Sequence, residues 1–205
     1  MNDRICYIVG ASDVLGEIRR SSADLIIAAD GGADALSKIG LSCDLVIGDL
    51  DSVKELPQDV ELIKFPVRKD EPDSFLAYRE GVRRGYTHFR LFGGTGGRED
   101  HTYANITLAH YAAKAGHLFE IFADGYRIFA ITNSEVSFPL EKGAIFSVFA
   151  RDTEARGICI NGAEYNLDGA SLTEDYPLGL SNAALGGEVR ISVESGTLLI
   201  MVENK

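Results

Sequence analysis

Apolar residues in the first half of the chain fall in short runs that alternate with segments of helical spacing. The runs predict strands at Ile5–Val9, Leu25–Ala29, Asp44–Ile47, Val60–Phe65, His88–Phe92 and Phe119–Phe122. Between them, a glycine follows each segment of helical spacing, as expected of a left-handed helix cap. These segments are Ala33–Ile39, Ser74–Arg84 and Thr102–Ala115. Several strands are too apolar to have a solvent-facing side, so this half is predicted to form a mostly parallel α/β sheet.

The pattern changes after Asp124-Gly125. Short strand-like runs then follow one another, with turn residues between them and without helical spacing. The runs are Tyr126–Ile131, Val136–Phe138, Ile145–Phe149, Gly157–Ile160, Glu188–Val193 and Thr197–Val202. Asn161-Gly162 is a dipeptide that favours a tight hairpin. We therefore expect two domains, an α/β domain at residues 1–124 and an all-β domain at residues 125–205.

Composition and charge narrow the class of protein. The chain has 205 residues, 45% hydrophobic and 25% charged, which is typical of a globular protein with its own core. A formal net charge of −11 argues against a nucleic-acid-binding protein, since phosphate contacts need a basic face. Three widely spaced cysteines indicate free thiols in a reducing compartment. With no targeting segment and no apolar run near the roughly 20 residues of a membrane span, a soluble cytoplasmic protein without membrane contact is expected.

Acidic residues and glycines follow four of the predicted strands, where a doubly wound sheet binds its ligands. Asp49 and Asp51 are two residues apart and point the same way on an extended backbone, while Asp70 and Asp73 flank Pro72 at the start of a helix. Such a set of carboxylates would repel one another unless a cation neutralised them, and oxygen ligands suit Mg²⁺. The residues therefore predict a magnesium site.

A glycine-rich loop, Gly93–Gly97, precedes Arg98 and a helix. Its backbone N–H groups can approach a polyphosphate closely, and the guanidinium adds positive charge. The loop has neither the Walker nor the dinucleotide-binding spacing of glycines. Gly31-Gly32 is a second turn whose backbone could face an anion. Taken singly, each residue also has a structural explanation, with Asp100 as a helix cap and Asp73 facing a helix dipole. Together with magnesium, the loop predicts a site for a nucleoside triphosphate.

In the same order along the chain, four segments resemble the thiamine pyrophosphokinase family. They are Asp30-Gly31-Gly32-Ala33, Gly48-Asp49-Leu50-Asp51-Ser52, Lys69-Asp70-Glu71-Pro72-Asp73 and Gly93-Gly94-Thr95-Gly96-Gly97-Arg98-Glu99-Asp100-His101. Three segments of the second half are also similar to the family, at Gly162–Leu167, Gly179–Asn182 and Gly196–Ile200. The resemblance thus covers nearly the whole chain.

The resemblance implies a Rossmann-like α/β nucleotide domain followed by an antiparallel β-sandwich. It implies magnesium-dependent transfer of the pyrophosphoryl group of ATP to the hydroxyl of thiamine, giving thiamine diphosphate and AMP. It further implies a homodimer in which thiamine binds between the catalytic domain of one subunit and the β domain of its partner.

Roles for individual residues follow from the same resemblance. Magnesium and the triphosphate would be held by Asp49, Asp51, Asp70, Asp73 and Asp100, and Arg98 would steady the phosphates. The remaining nucleotide-binding residues would be Asp30, Gly31, Gly32, Gly94, Thr95, Gly96 and Gly97. Ser181 and Asn182 would meet the aminopyrimidine of thiamine, and Tyr165 is the aromatic residue expected beside its cationic thiazolium. Pro72 and Glu99 depart from the family pattern, which usually has threonine and an apolar residue there.

Two alternatives remain open on the residues. The first is a related diphosphokinase or nucleotidyl transferase acting on another small alcohol, because the phosphate-binding residues would be shared. The second is a nucleotide or thiamine sensor without catalytic activity, which the departures at Pro72 and Glu99 allow and the intact set of carboxylates opposes.

Overall fold

The structure, a computed structural model, describes residues 4–13, 17–48, 60–65 and 71–204. The chain divides into two compact units, Met1–Leu108 with Phe119–Asp124, and Ala109–Leu118 with Gly125–Lys205. Residues 109–118 thus group with the second unit, and the domain boundary after residue 124 stays a prediction. Within the described ranges, no helix is both long and apolar enough to cross a membrane.

The first unit is built on a mostly parallel sheet, as predicted. Its strands are β1 (Ile5–Val9), β2 (Leu25–Ala29), β3 (Leu45–Gly48), β4 (Glu61–Lys64), β5 (His88–Phe92) and β6 (Leu118–Ala123). Within the unit they lie in the order β6-β5-β1-β2-β3-β4. β1 pairs in parallel with β2 and β5, β2 pairs in parallel with β3, and β3 with β4. Each of these strands begins and ends within one residue of its predicted bounds.

The three predicted helices are also present. They are α1 (Gly32–Lys38), α2 (Asp73–Arg83) and α3 (Glu99–Lys114). The glycines that follow them, Gly40, Gly85 and Gly116, have φ of +74°, +81° and +79°, a left-handed conformation that glycine adopts without steric cost. Pro72 lies just before α2 in extended backbone, with its carbonyl accepting hydrogen bonds from the N–H groups of Phe75 and Leu76.

The strands at the centre of this sheet are buried along their whole length. All residues of β2 and β3 are buried, which explains why their sequences lack the alternation of a half-exposed strand. On α2, Tyr78 packs against Phe89 of β5, with ring centroids 4.8 Å apart. Polar side chains do occur on the flanking strands, where His88 and Arg90 of β5 both contact the buried Glu120 of β6.

The second unit is an antiparallel β-sandwich. Its strands are β7 (Tyr126–Thr132), β8 (Glu135–Leu140), β9 (Ile145–Ala150), β10 (Glu154–Asn161), β11 (Leu167–Thr173), β12 (Asn182–Ala183), β13 (Gly187–Ser192) and β14 (Thr197–Glu203). Four lie in the order β12-β9-β14-β7 and four in the order β11-β10-β13-β8. The two groups share one apolar core, to which β7 contributes Phe129, β9 contributes Phe146 and β13 contributes Val189. The predicted fold class is therefore confirmed.

Two details of this unit differ from the sequence prediction. β11 and β12 were not predicted, because β11 buries only Leu172 and β12 has two residues. Asn161-Gly162 does not form a two-residue hairpin: Asn161 ends β10, and residues 162–166 separate it from β11. Gly162 has φ of +82°, so the dipeptide does turn the chain, but a longer connection follows it.

Candidate functional site

A cleft of about 340 Å³ lies in the first unit where the loops after the parallel strands meet. Its walls come from the residues after β1 (10–12), the end of β2 (29–30) and the loop after β5 (93–98). The starts of α2 and α3 complete it. This is the edge at which doubly wound sheets bind ligands, and the position agrees with the expectation from the strand ends.

Two glycines at the base of the cleft pack backbone against backbone. A Cβ on Gly10 would lie 2.6 Å from the Gly93 carbonyl oxygen, and a Cβ on Gly93 would lie 2.6 Å from the Ser12 carbonyl oxygen. The Gly10 N–H donates to the Phe92 carbonyl at 2.8 Å, and the Ser12 N–H donates to the Gly93 carbonyl at 3.1 Å. Only glycine fits at either position, so the base of the cleft is backbone.

Asp30 lines the cleft in a strained conformation, with φ of +53°. Its N–H donates to the Ile47 carbonyl at 2.9 Å, which holds the end of β2 beside the end of β3. Gly32 has a packing role, since a Cβ there would lie 1.9 Å from the Val9 carbonyl oxygen. The start of α1 can therefore lie directly over the end of β1.

The Asp73 carboxylate also lines the cleft and lies against the end of β3. A Cβ on Gly48 would be 3.5 Å from Asp73 Oδ1 and 3.4 Å from the backbone of Asp30. The next residue in sequence is Asp49. The predicted ligands Asp49, Asp51 and Asp70 lie outside the described residues. Among the residues that are described, no group of three His, Cys, Asp or Glu side chains could hold a metal ion.

Arg98 lines the cleft and is paired with Asp100. Arg98 Nη2 lies 2.5 Å from Asp100 Oδ2, and Nε donates to Oδ1 at 3.1 Å. Hydrogen bonding to this guanidinium lowers the pKa of Asp100. Asp100 lies in the first turn of α3 but does not line the cleft. Glu99 begins that helix and is exposed.

The cleft brings together part of the predicted nucleotide-binding set. Asp30, Asp73, Gly94, Gly97 and Arg98 line it. Gly31, Gly32, Thr95 and Gly96 lie in the same loops but are not among the lining residues.

Sequence reasoning missed several lining residues. Gly10 carried a signal, as the residue directly after the first strand, and a check of that strand end would have found it. Ser74 and Asn105 carried none, because polar residues within helices are common. In the structure, Asn105 Nδ2 donates to the Gly94 carbonyl at 2.7 Å, and the Ser74 hydroxyl donates to Asn105 Oδ1 at 2.7 Å.

A second concave site, of about 680 Å³, lies in the β-sandwich and includes all three residues predicted to bind thiamine. Tyr165 is 71% exposed there, and Leu178 and Leu180 present further apolar surface. Glu164 adds a carboxylate to the same groove. We call this site the sandwich groove; its walls are residues 164–167 and 178–182 with Val148, Ile160 and Leu172.

Asn182 holds the sandwich groove together. It is buried, and its Oδ1 accepts hydrogen bonds from the N–H groups of Tyr165 at 3.1 Å and Ala183 at 2.9 Å. Its Nδ2 donates to the Tyr165 carbonyl at 2.7 Å. The neighbouring Ser181 has φ of +60°, and its N–H donates to the Ser147 hydroxyl at 3.0 Å. The amide of Asn182 thus positions Tyr165, a role that sequence reasoning did not foresee.

Residues 19–119 match the family described as thiamin pyrophosphokinase, catalytic domain. This range includes most of the cleft, from Ala29 to Asn105. Curated protein sequences give no match to the chain.

Solved structures share the fold over almost the full chain. Thiamine pyrophosphokinase from Bacillus subtilis is 21% identical, with a TM-score of 0.88 and coverage of 98% of this chain and 100% of that chain. A thiamin pyrophosphokinase family protein from Enterococcus faecalis is 22% identical, with a TM-score of 0.84 and coverage of 99% and 100%. Yeast thiamin pyrophosphokinase is 16% identical, with a TM-score of 0.71 and coverage of 99% and 87%. Residues 19–119 thus match the thiamin pyrophosphokinase catalytic-domain family, and the chain as a whole has the fold of these solved thiamine pyrophosphokinases.

Proposed function

We propose that the protein transfers the pyrophosphoryl group of ATP to the hydroxyl of thiamine, giving thiamine diphosphate and AMP. The observation that carries this proposal is the cleft in which Asp30, Asp73, Arg98 and the glycine loop converge at one sheet edge. The match of residues 19–119 to the thiamin pyrophosphokinase catalytic domain suggests the substrate class. In this proposal the catalytic domain is residues 1–124 and the thiamine-binding domain is residues 125–205.

The triphosphate would bind against the glycine loop. Gly94 and Gly97 bring backbone close to the cleft, and the starts of α2 and α3 add N–H groups with the positive end of each helix dipole. The Arg98 guanidinium can exchange Asp100 for phosphate oxygens, to which it can donate two parallel hydrogen bonds. Attack of a primary alcohol on the β-phosphorus needs mainly orientation and charge neutralisation, so a strong base is not required.

Among the described residues of the cleft, Asp73 offers a carboxylate of the kind that binds a magnesium ion. The Asp73 carboxylate lies beside the end of β3, where Asp49 follows in sequence, and carboxylate oxygens are the ligands that Mg²⁺ takes. We propose that Asp73 holds the ion with Asp49, Asp51, Asp70 and Asp100. Bound magnesium would neutralise charge on the phosphates during transfer.

Thiamine would bind through the sandwich groove. Its thiazolium carries a fixed positive charge, which the exposed ring of Tyr165 and the carboxylate of Glu164 suit. Ser181 and Asn182 would face the aminopyrimidine. We also propose a homodimer, in which this groove meets the cleft of a partner subunit, and a cytoplasmic location. The three free thiols of Cys6, Cys43 and Cys159 are compatible with that location.

The test is an incubation of the purified protein with Mg²⁺, ATP and thiamine, with products resolved by chromatography. Thiamine diphosphate with equimolar AMP is the expected result, and both should be absent without Mg²⁺ or thiamine. Formation of ADP would instead indicate transfer of one phosphoryl group and contradict attack on the β-phosphorus. Binding of Mg·ATP without any product from thiamine or from other small alcohols would identify a sensor.

A further inference from the structure

Asn105 is a buried polar residue of α3 that has no assigned role in the proposed reaction. It is 6% exposed, and its amide group makes one hydrogen bond to each of two other elements. One runs from Asn105 Nδ2 to the Gly94 carbonyl in the glycine loop, and the other runs from the Ser74 hydroxyl at the start of α2 to Asn105 Oδ1. Both measure 2.7 Å.

The chemistry of the two partners determines which way the amide points. The Gly94 carbonyl can only accept a hydrogen bond, so it must face the amide nitrogen of Asn105. The amide oxygen then faces Ser74, whose hydroxyl can donate. Among side chains of this size, only a carboxamide offers a donor and an acceptor on opposite sides, so aspartate or leucine cannot make both contacts.

Gly94 is shaped for this contact. A Cβ at that position would lie 2.6 Å from Leu91 Cδ2 and 3.0 Å from Asn105 Nδ2. The loop can therefore reach the amide only because residue 94 has no side chain. The contact places the loop at a set distance from α3 as well as bonding to it.

Ser74 directly follows Asp73, so the same amide connects the phosphate-facing loop to the proposed metal ligand. Gly94, Ser74 and Asn105 all line the cleft. We propose that Asn105 is a positioning residue, whose amide holds the glycine loop and the start of α2 in one geometry so that the phosphates and Asp73 are in register. This inference rests on the proposed nucleotide site and adds a residue to it.

Positioning predicts a selective kinetic defect. Losing either hydrogen bond lets the loop or α2 move by a fraction of an ångström, which misplaces the reacting groups and slows transfer by roughly ten- to a hundredfold. The defect should appear in kcat and in KM for Mg·ATP. It should leave KM for thiamine within about twofold, because the sandwich groove shares no residue with this link.

The variants are chosen in matched pairs. Asn105→Asp keeps the shape of the side chain and puts an acceptor against the Gly94 carbonyl. Valine and threonine have nearly the same shape, but only threonine carries a hydroxyl. Ser74→Thr should therefore keep most of the activity that Ser74→Val loses. Thr107→Val is the control on the same helix, since its hydroxyl donates to the Tyr103 carbonyl at 3.0 Å on the exposed side of α3.

Two measurements that need no turnover accompany the kinetics. Hydrogen exchange of the backbone amides in Gly93–Gly97 should be faster in Asn105→Asp and Ser74→Val than in wild type, in protein without ligand. Affinity for a non-hydrolysable ATP analogue with Mg²⁺ should fall in parallel, as measured by calorimetry. Thr107→Val should change neither.

The inference is wrong if Asn105→Asp and Ser74→Val lower the thermal midpoint while loop exchange, analogue affinity and kcat per folded molecule stay at the wild-type level. That pattern would describe an ordinary core contact. It is equally wrong if Ser74→Thr is as impaired as Ser74→Val. If wild-type protein makes no thiamine diphosphate, the proposed function fails, and loop exchange with analogue binding still decides the role of Asn105.

Discussion

Three non-glycine residues among those the structure describes have positive φ, and two of them lie in the candidate sites. Asp30 lines the proposed nucleotide cleft and Ser181 lines the sandwich groove. Asn133 occupies a turn, where its Oδ1 accepts a hydrogen bond from the Gly196 N–H at 2.8 Å. Strain of this kind persists where surrounding contacts enforce it, and it concentrates at functional sites. At Asp30 the backbone and the side chain therefore have separable roles.

Replacing Asp30 with glycine or with alanine should separate the role of its backbone from the role of its carboxylate. Both changes remove the carboxylate, so both should lower kcat at least about tenfold, a conservative estimate for loss of a charged group in the site. Only alanine retains the steric strain, so Asp30→Ala should be less stable than Asp30→Gly by about 1 kcal/mol in chemical unfolding. Equal stability of the two variants would show that the backbone carries no strain at this position.

Tyr165 allows a test of thiamine recognition without disturbing the fold. Its side chain is 71% exposed, so Tyr165→Ala should leave the free energy of unfolding within about 0.5 kcal/mol. Loss of the aromatic face should raise KM for thiamine about fivefold, since a cation–π contact contributes on the order of 1 kcal/mol. Tyr165→Phe keeps that face and serves as the control. A Tyr165→Ala enzyme with unchanged KM for thiamine would place the cation elsewhere.

At the scale of elements, α2 packs on the sheet through Gly81. A Cβ there would lie 2.6 Å from Phe89 Cε1 and 2.9 Å from Cys6 Sγ, and both partners are buried. Helix propensity alone predicts that Gly81→Ala stabilises the protein by about 1 kcal/mol. We expect the opposite sign, a loss of about 1–3 kcal/mol from overpacking, measured by denaturant unfolding. Ser37→Ala on the exposed side of α1 is the control, with a gain of a few tenths.

β1 and β2 are tied at their starts by Asp24. Its carboxylate accepts hydrogen bonds from the N–H groups of Ile5 at 2.8 Å and Ser21 at 2.7 Å. Burial alone would raise the pKa of Asp24, but these hydrogen bonds outweigh it and lower the pKa below its usual value. In Asp24→Asn an amide nitrogen would face one of the two N–H groups.

This link predicts a pH-dependent stability difference. Because the pKa of Asp24 is lower in the folded protein, its contribution is complete above the unfolded value of about 4 and is lost as pH falls through the folded value. Wild type should exceed Asp24→Asn by about 1–3 kcal/mol near pH 7. The gap should shrink below about pH 4, as measured by urea unfolding across pH. Asp175→Asn, at an exposed turn position, should show no such gap.

The elements were predictable from sequence because their signals are local. β2 and β3 are continuous apolar runs, and Gly85 marks the end of α2 before any contact is known. β11 was missed because a strand with one buried leucine shows no alternation of apolar and polar positions. The site was predicted only in part, since Asn105 bonds to Gly94 and Ser74, which are 11 and 31 residues away in sequence. A single sequence shows the carboxylates and glycines of a site, but it does not show which amide joins the glycine loop to the start of α2.

At the scale of the whole molecule, the proposed homodimer has a testable consequence. If each active site combines the cleft of one subunit with the sandwich groove of its partner, Asp73→Asn and Tyr165→Ala impair different halves of the same site. Activity is therefore measured at thiamine concentrations well below KM, where a raised KM lowers turnover. Mixed dimers of these two inactive or weakened chains should then contain one intact site. Activity should recover to about a quarter of wild type after random reassociation, since half of the dimers are mixed and each has one site.

The mixing experiment has a clear negative result. Each variant alone, taken through the same unfolding and refolding, sets the baseline. Activity that stays at the sum of the two baselines, with mixed dimers shown by native mass spectrometry, would assign both halves of the site to one subunit. A monomer at all concentrations would remove the proposed homodimer altogether.

The closely packed glycines at the base of the proposed nucleotide cleft also limit how the protein can be redesigned. Gly10 and Gly93 leave no room for any side chain, so a nucleotide that binds as proposed would contact peptide groups there. Single substitutions cannot change the shape of the cleft base, because a side chain at either glycine would displace the loop that carries the other glycine. Variants with altered nucleotide preference should therefore carry substitutions at exposed residues of the cleft, such as Arg98 and His101. Libraries that randomise Gly10 and Gly93 should return mainly misfolded chains.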